Sequence, residues 1–247
     1  MPIANNFTSV FQKEWEINFT LCDPYGKLKY PDLCNLLQLT AAEHAELGGI
    51  SFSDMQVHHQ AWVLSRMRVE IEKMPRWKQK ISIKTWIVSL ENSRSIRAME
   101  VYLHGEKIIG VESFWAVFNT QTRRPENLAL PHEHYEKYEH NRGTNLPFAK
   151  IDSPALTELV TTRTVQWSDL DIVNHVNNVK YLEWCLDAFS DQCSKSIGIR
   201  VLEMNFLSEL NLHEHVNIQV ATINEGQQIF SVVKDQKICY LAQVDWK

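Results

Sequence analysis

The five cysteines of this 247-residue chain include no CxxC pair, and no apolar run approaches the roughly 18 residues of a membrane-crossing helix. Basic residues are not in excess either: 25 Lys and Arg against 30 Asp and Glu give a net charge of −5. The first absence argues against paired-cysteine metal or redox chemistry. Cys22, Cys34, Cys185, Cys193 and Cys239 read as reduced, mostly buried thiols. The second argues against a membrane span, and the third against a general nucleic-acid binder, although a local basic patch for an acidic partner stays open. Also missing are the GxSxG elbow, the Walker loop, GxGxxG and HExxH. The opening stretch "MPIANNFTSVFQKEWEI" has no apolar core of a secretory signal, and it is short and acidic for a transit peptide. A cytoplasmic location is expected.

What is present is a substantial apolar fraction, 44%, with eight Trp, enough for a real core. In the first half, "PDLCNLLQLTAAEHAEL" places Leu33, Leu36, Leu37 and Ala41 at helical spacing behind a Pro suited to the first turn. Four strand-like segments follow, "AWVLSRMRVEIEKM", "KISIKTWIVSL", "SIRAMEVYLHG" and "KIIGVESFWAVFN". The polar, aperiodic stretch from 132 to 154 reads as a connection.

The second half repeats that order. The strand "TELVTTRTVQW" leads into "DLDIVNHVNNVKYLEW" and a helix with Val179, Leu182, Leu186 and Phe189 on one face. The strand-like stretches "IRVLEMNFLSEL", "HVNIQVATI", "QIFSVVK" and "KICYLAQVDW" come next. One helix and several antiparallel strands, twice over, imply an internal duplication. Asp171 falls opposite Asp23 at an offset of 148, and Ile81 and Ile83 fall opposite Val216 and Ile218 at an offset of 135. On the same offsets His175 stands where the first half has Lys27, and Glu209 where it has Met74. Chemistry in one half and apolar binding in the other is the simplest reading.

Asp171, Asn174 and His175 immediately precede a helix whose first N–H groups lack intrahelical partners and carry partial positive charge. A carbonyl oxygen held there would be stabilised as its charge grows. The plain alternative is an Asp/Asn-rich cap, and Asn177 and Asn178 fit that role equally well. Two "HEH" triplets, 132–134 and 213–215, lack a third ligand at an obvious spacing and read as solvated loop histidines, so no metal is expected.

"WSDLDIVNHVNNVKYLEW" resembles the signature of the acyl-acyl carrier protein thioesterases of plant plastids and their bacterial relatives. "NLLQ", "AEHAELGG", "WVLSRMRVEIEKMPRW", "IKTWI" and "FNTQTRRP" are similar to first-half segments of that family, and "LEMNFLSEL" to its second-half strand bearing the catalytic Glu. The resemblance implies an α+β, tandem (double) hotdog fold, each half an antiparallel sheet wrapped around a central helix. It implies an N-terminal acyl-binding domain over 1–140, a linker over 141–155 and a catalytic domain over 156–247. It implies hydrolysis of fatty acyl-carrier protein to free fatty acid and carrier protein, ending chain elongation, with no cofactor.

Carried over by position, the family's catalytic Asp, His and Glu match Asp171, His175 and Glu209. The family Asn falls where this chain has Val173, with Asn174 one residue later, and the plant enzymes' Cys after the Glu is Leu210 here. The last departure favours a carboxylate-centred mechanism, with a carboxylate as general base or as nucleophile. Leu37, Ala41 and Met74 are candidate acyl-pocket residues, with ordinary core packing as the alternative for each. Asn177 and Asn178 are candidate substrate contacts, with the amides around 176–178 as carbonyl holders. The expected partner, acyl carrier protein, is acidic, so basic residues are sought in "RRP" at 123–125, in Arg94 with Arg97, and in Lys195 with Arg200. Alternatives are an acyl-CoA thioesterase of the same fold, a non-catalytic acyl-binding hotdog protein and a hotdog dehydratase. A tandem chain supplies two hotdog units by itself, so a monomer suffices and a homodimer is compatible.

Overall fold

The computed structural model describes residues 3–188 and 198–247. Phe189, Cys193 and Lys195 lie outside the described residues. The chain divides into two units, Met1–Ser65 with Val69–Phe148, and Arg66–Arg68 with Ala149–Lys247.

In the first unit β1 (Val10–Glu16) precedes α1 (Tyr30–Leu47), a short α2 (Phe52–Gln56), then β2 (Gln60–Ile71), β3 (Lys80–Glu91), β4 (Arg94–Leu103), β5 (Glu106–Asn119) and a two-residue β6 (Arg124–Pro125). The strands order as β1-β3-β4-β5-β2, with β6 paired to the far end of β5. β1–β3, β3–β4 and β4–β5 are antiparallel, and the last two pairs are joined by the short turns that antiparallel neighbours allow. Pro31 occupies the first turn of α1, and Leu33, Leu36, Leu37, Thr40, Ala41 and His44 form its buried face. The helix thus starts and faces as its sequence pattern predicts.

The second unit repeats this plan with β7 (Glu158–Thr164), α3 (Asn178–Asp187), β8 (Ile199–Phe206), β9 (His215–Asn224), β10 (Gln227–Lys234) and β11 (Lys237–Trp246). Its order is β7-β9-β10-β11-β8, the order of the first unit position for position. Each unit is a hotdog, a helix held in an antiparallel sheet. Val179, Leu182 and Leu186 are buried on α3 beside Tyr181, Trp184 and Cys185.

The duplication reaches individual hydrogen bonds. The Leu28 N–H donates to the Pro75 carbonyl at 2.8 Å, and the Val176 N–H to the Leu210 carbonyl at 2.9 Å. Ile17 donates to Gln79 and Val165 to Glu214, both at 2.9 Å. Lys78 and His213 both hold a left-handed backbone, φ 67° and 66°. Each pair obeys the offsets of 148 and 135 read from the sequence. Identity between the halves is slight because backbone geometry tolerates many side chains; only turns and inward positions are tightly constrained.

The stretch from 132 has no helix or strand, as a connection should, yet it is not loosely held. Tyr135 is fully buried in an apolar cluster with Ala45, Ile50, Ile87 and Val117. Gly143 lies against the sheet so closely that a Cβ would fall 2.2 Å from the Val111 carbonyl oxygen and 2.8 Å from that of Met99. Arg142 Nη1 meets the buried Glu112 Oε2 at 2.9 Å. Polar composition concealed this packing because its anchors are single residues without periodicity.

Candidate active site

The second unit's site is built on a turn. A 3₁₀ turn, Trp167–Asp169, is followed by a bridge between Leu170 and Val176 that closes a small loop. The Asp171 N–H donates to the His175 carbonyl at 2.9 Å, and the Asn174 N–H to the Asp171 carbonyl at 3.0 Å. The Asp171 carboxylate completes the loop, its Oδ1 accepting from the N–H of Val173 at 3.0 Å and of His175 at 3.4 Å. This is the local side-chain-to-backbone bonding for which Asp is favoured in turns.

Asp23 builds the same loop in the first unit, with Oδ1 accepting from the N–H of Tyr25 and Lys27, both at 2.9 Å. The fourth loop position is left-handed in both, Gly26 at φ 73° and Asn174 at φ 63°. Asn is one of the few residues that tolerate this conformation, which gives Asn174 a backbone reason for its place. Val173, at the position of the family Asn, is 40% exposed.

The loop delivers His175, and a separate segment delivers Glu209. The Val176-to-Leu210 hydrogen bond ties the residue after His175 to the residue after Glu209. As a result His175 Nε2 and Glu209 Oε2 stand 3.4 Å apart, with side chains 26% and 35% exposed. Both groups are reachable from solvent, and the pair is within ion-pair distance when the imidazole is protonated. In the first unit the same frame presents Lys27 and the half-buried Met74, which cannot form such a pair.

The start of α3 differs in detail from expectation. The Val176 N–H is taken by Leu210, and the Asn177 N–H donates to the Asp169 carbonyl at 2.9 Å. Two of the three amides expected to hold a substrate carbonyl are therefore bound within the protein, because the turn must be tied to its neighbours to hold its shape. Asn177 is the cap of α3, its side-chain oxygen accepting from the Val179 N–H at 3.1 Å. Asn178 is the first helical residue. Asp169, not singled out in the sequence, is buried: Oδ2 accepts from the Gln166 N–H at 2.8 Å and Oδ1 lies 3.5 Å from Arg163 Nη2. Its signal was present in "QWSD", where a carboxylate three residues after the cap closes a capping box.

Leu37 and Ala41 lie one turn apart on the buried face of α1, and Met74 precedes the Pro75 whose carbonyl pins the first-unit loop. All three belong to the first unit.

Among the proposed basic residues, Arg97 is corrected outright. It is only 6% exposed, its Nη1 donating to His44 Nδ1 at 2.8 Å and to Thr85 Oγ1 at 3.0 Å. Position 97 faces inward because Arg94 at the exposed strand end sets the alternation along β4. Arg123 and Arg124 are exposed beside β6, and Arg200 lies 3.8 Å from Asp245.

Three of the four triplet histidines are held by hydrogen bonds, His132 Nδ1 to the nearby Leu130 carbonyl, His134 Nε2 to the distant Gly48 carbonyl and His215 Nδ1 with Thr164 Oγ1 on the neighbouring strand. Among the described residues no three His, Cys, Asp or Glu side chains converge as metal ligands. Burial pushes the Cys34 thiol up to about 12 and raises that of Cys185 as well, which makes both poor nucleophiles. No helix among the described residues is long and apolar enough to cross a membrane.

Comparison with known proteins agrees with this geometry. Residues 8–138 match the acyl-ACP thioesterase N-terminal domain, and residues 154–247 match the acyl-ACP thioesterase C-terminal domain. A chloroplastic palmitoyl-acyl carrier protein thioesterase of Gossypium hirsutum is 30% identical over 204 residues, covering 73% of this chain and 45% of that protein. Oleoyl-acyl carrier protein thioesterase 1 of Arabidopsis thaliana is 26% identical over 212 residues, covering 78% of this chain and 58% of that one. The chain thus spans about half the length of the curated relatives it matches.

An acyl-ACP thioesterase from Bacteroides thetaiotaomicron superposes with a TM-score of 0.82 at 25% identity, covering 97% of this chain and 98% of that one. The 12:0-ACP thioesterase from Umbellularia californica gives 0.76 at 20% identity with the same coverage, which speaks to the fold. On these matches, and on a tandem hotdog whose second unit brings His175 and Glu209 together, the chain belongs to the acyl-ACP thioesterase family.

Proposed function

We propose that this protein hydrolyses the thioester of fatty acyl-acyl carrier protein, releasing free fatty acid and carrier protein and so ending chain elongation. The observation that carries the reading is the approach of His175 Nε2 to Glu209 Oε2 at 3.4 Å, at a helix start, in a chain of this family. A thioester needs less activation than an amide, because its thiolate has a pKa near 8.5 and leaves readily. Glu209 takes a proton from water as the water oxygen bonds to the carbonyl carbon. The C–S bond then breaks, and the sulfur leaves with a proton supplied by His175. The Asp171 carboxylate acts as a positioning group, since its Oδ1 is bonded to the loop that carries His175. Asn174 sustains that loop through its left-handed backbone, and the Asn178 N–H is the amide assigned to the carbonyl oxygen.

The acyl chain is assigned to the first unit, along Leu37 and Ala41. The work is placed in the cytoplasm, where buried, unpaired cysteines stay reduced. An acyl-CoA thioesterase of the same fold is the second reading, and the exposed Arg123 and Arg124 suit either anionic carrier. The test is thiol release from saturated acyl carrier proteins and the matching acyl-CoAs, with His175→Ala as control. Release from carrier-bound substrate that weakens with salt and vanishes in the variant is expected. Release from acyl-CoA alone, or none from either, would sink the reading.

A further inference from the structure

The loop that presents His175 in the second unit presents something else in the first. Lys27 stands at the position of His175, and the segment that lies against it, residues 73–80, reads "KMPRWKQK", with four basic residues and no acid. The Leu28 N–H donates to the Pro75 carbonyl, the Trp77 N–H donates to the Gly26 carbonyl at 3.0 Å, and a bridge joins Lys27 to Arg76. Lys27, Arg76, Trp77 and Lys78 therefore share one end of the unit, with Lys78 Nζ 4.6 Å from the centre of the Trp77 ring. Phe19 opens a 3₁₀ turn at the same end, because the Cys22 N–H donates to the Phe19 carbonyl and Cys22 bridges Leu28. Tyr25 lies inside the Asp23 loop itself. Phe19, Tyr25 and Trp77 are 74%, 56% and 52% exposed.

The neighbouring acids are committed elsewhere. Asp23 Oδ1 accepts from the amides of its own loop, Asp32 pairs with Lys29 at 2.9 Å, and Glu16 sits opposite Lys80 in the β1–β3 register. Among the described residues no carboxylate lies within ion-pair distance of Lys27, Arg76 or Lys78. The fold does not require these side chains. At the same offsets the second unit has His175, Asn211, Leu212 and His213, and it builds the same loop. Trp167 and Ile172 are exposed there too, so apolar side chains are common to both loops, whereas the three permanent cations belong to the first.

We infer that this end of the first unit is a contact surface for bilayers that carry anionic lipid. Trp77, Tyr25 and Phe19 enter the headgroup region, where Trp and Tyr rings are favoured, and Lys27, Arg76 and Lys78 meet the lipid phosphates. Charge complementarity sets the sign of the partner: in a chain of net charge −5, a face of unpaired cations selects an anionic surface. The placement of the rings selects lipid over an acidic protein. Each stands more than half exposed on a separate turn, and a fluid interface admits such rings singly, whereas a folded partner needs a matching hollow for each. The contact is reversible and weakens with salt, because it rests on a few charges and rings without a spanning helix. It does not depend on the reaction proposed above.

The experiment is flotation of the full chain with vesicles of phosphatidylcholine alone and of phosphatidylcholine mixed with phosphatidylglycerol. Binding to the mixed vesicles that weakens with added salt is expected, with little binding to phosphatidylcholine alone. Arg76→Gln and Lys78→Gln should each lower the partition coefficient about fivefold, the factor for one basic side chain near an anionic surface. Trp77→Ala should lower it as well. Arg124→Gln removes an exposed charge at the opposite end of the same sheet, beside the far end of β5, and should leave binding unchanged. All four side chains are exposed, so the variants keep the fold. No binding of the wild type to the mixed vesicles overturns the proposal. So does binding that Arg76→Gln and Arg124→Gln reduce alike, or that Trp77→Ala leaves intact. Apo acyl carrier protein is titrated in parallel without lipid. Its binding, lost in Arg76→Gln and Lys78→Gln in a chain that ignores vesicles, would assign the surface to an acidic protein instead.

Discussion

Asn174 and Gly26 hold the same left-handed backbone, φ 63° and 73°, at equivalent positions of two loops, and each loop is closed by an aspartate three residues earlier. The loop was kept in both halves while the side chains it presents diverged. Asn174→Gly should therefore preserve both turnover and stability, and Asn174→Val should cost about 1–2 kcal/mol because a β-branched residue resists this conformation. Urea unfolding midpoints and turnover of the two variants check this. A large loss of turnover in a stable Asn174→Gly protein would instead give the amide a chemical part.

His175→Ala and Glu209→Gln should each lower kcat about 10²- to 10⁴-fold, the range for a lost general acid or base. Both side chains are partly exposed and neither anchors the core, so unfolding midpoints should move little. The paired measurement separates chemistry from folding.

His44 predicts acid sensitivity. Its folded pKa of about 3 lies below the ordinary 6.5, so between these values the unfolded chain binds a proton that the folded chain refuses. Stability therefore rises with pH through that window and is lost as pH falls, by about 2 kcal/mol at pH 5 relative to neutral pH. Denaturant titrations from pH 7 to pH 4 should show this slope, and His44→Gln should flatten it.

Gly143→Ala should destabilise the protein by about 1–3 kcal/mol, since the added methyl meets backbone oxygens of Val111 and Met99 that belong to a sheet and cannot step aside. Gly105, with open space around its Cβ position but φ 85°, gives a contrast: Gly105→Asn should be mild, because Asn tolerates that backbone. Thermal unfolding of both variants tests whether the 132–148 stretch is structural.

Legible in the sequence were the repeated order of strands and helix, the two offsets relating the halves and the buried stripe of α1. Those features are local or periodic: Pro31 at a first turn, Leu33–Leu36–Leu37–Ala41 on one face, an Asp with a residue tolerant of positive φ three positions on.

The tertiary structure alone decided the rest. It spent the Val176 and Asn177 amides on Leu210 and Asp169, which follows from the need to satisfy every buried donor and cannot be read without knowing the acceptors. It turned a polar connection into a packed strap through Tyr135 and Gly143. It moved Arg97 from an expected surface patch to the interior, because strand register fixes which side of the sheet a residue faces and one step of register exchanges core for solvent.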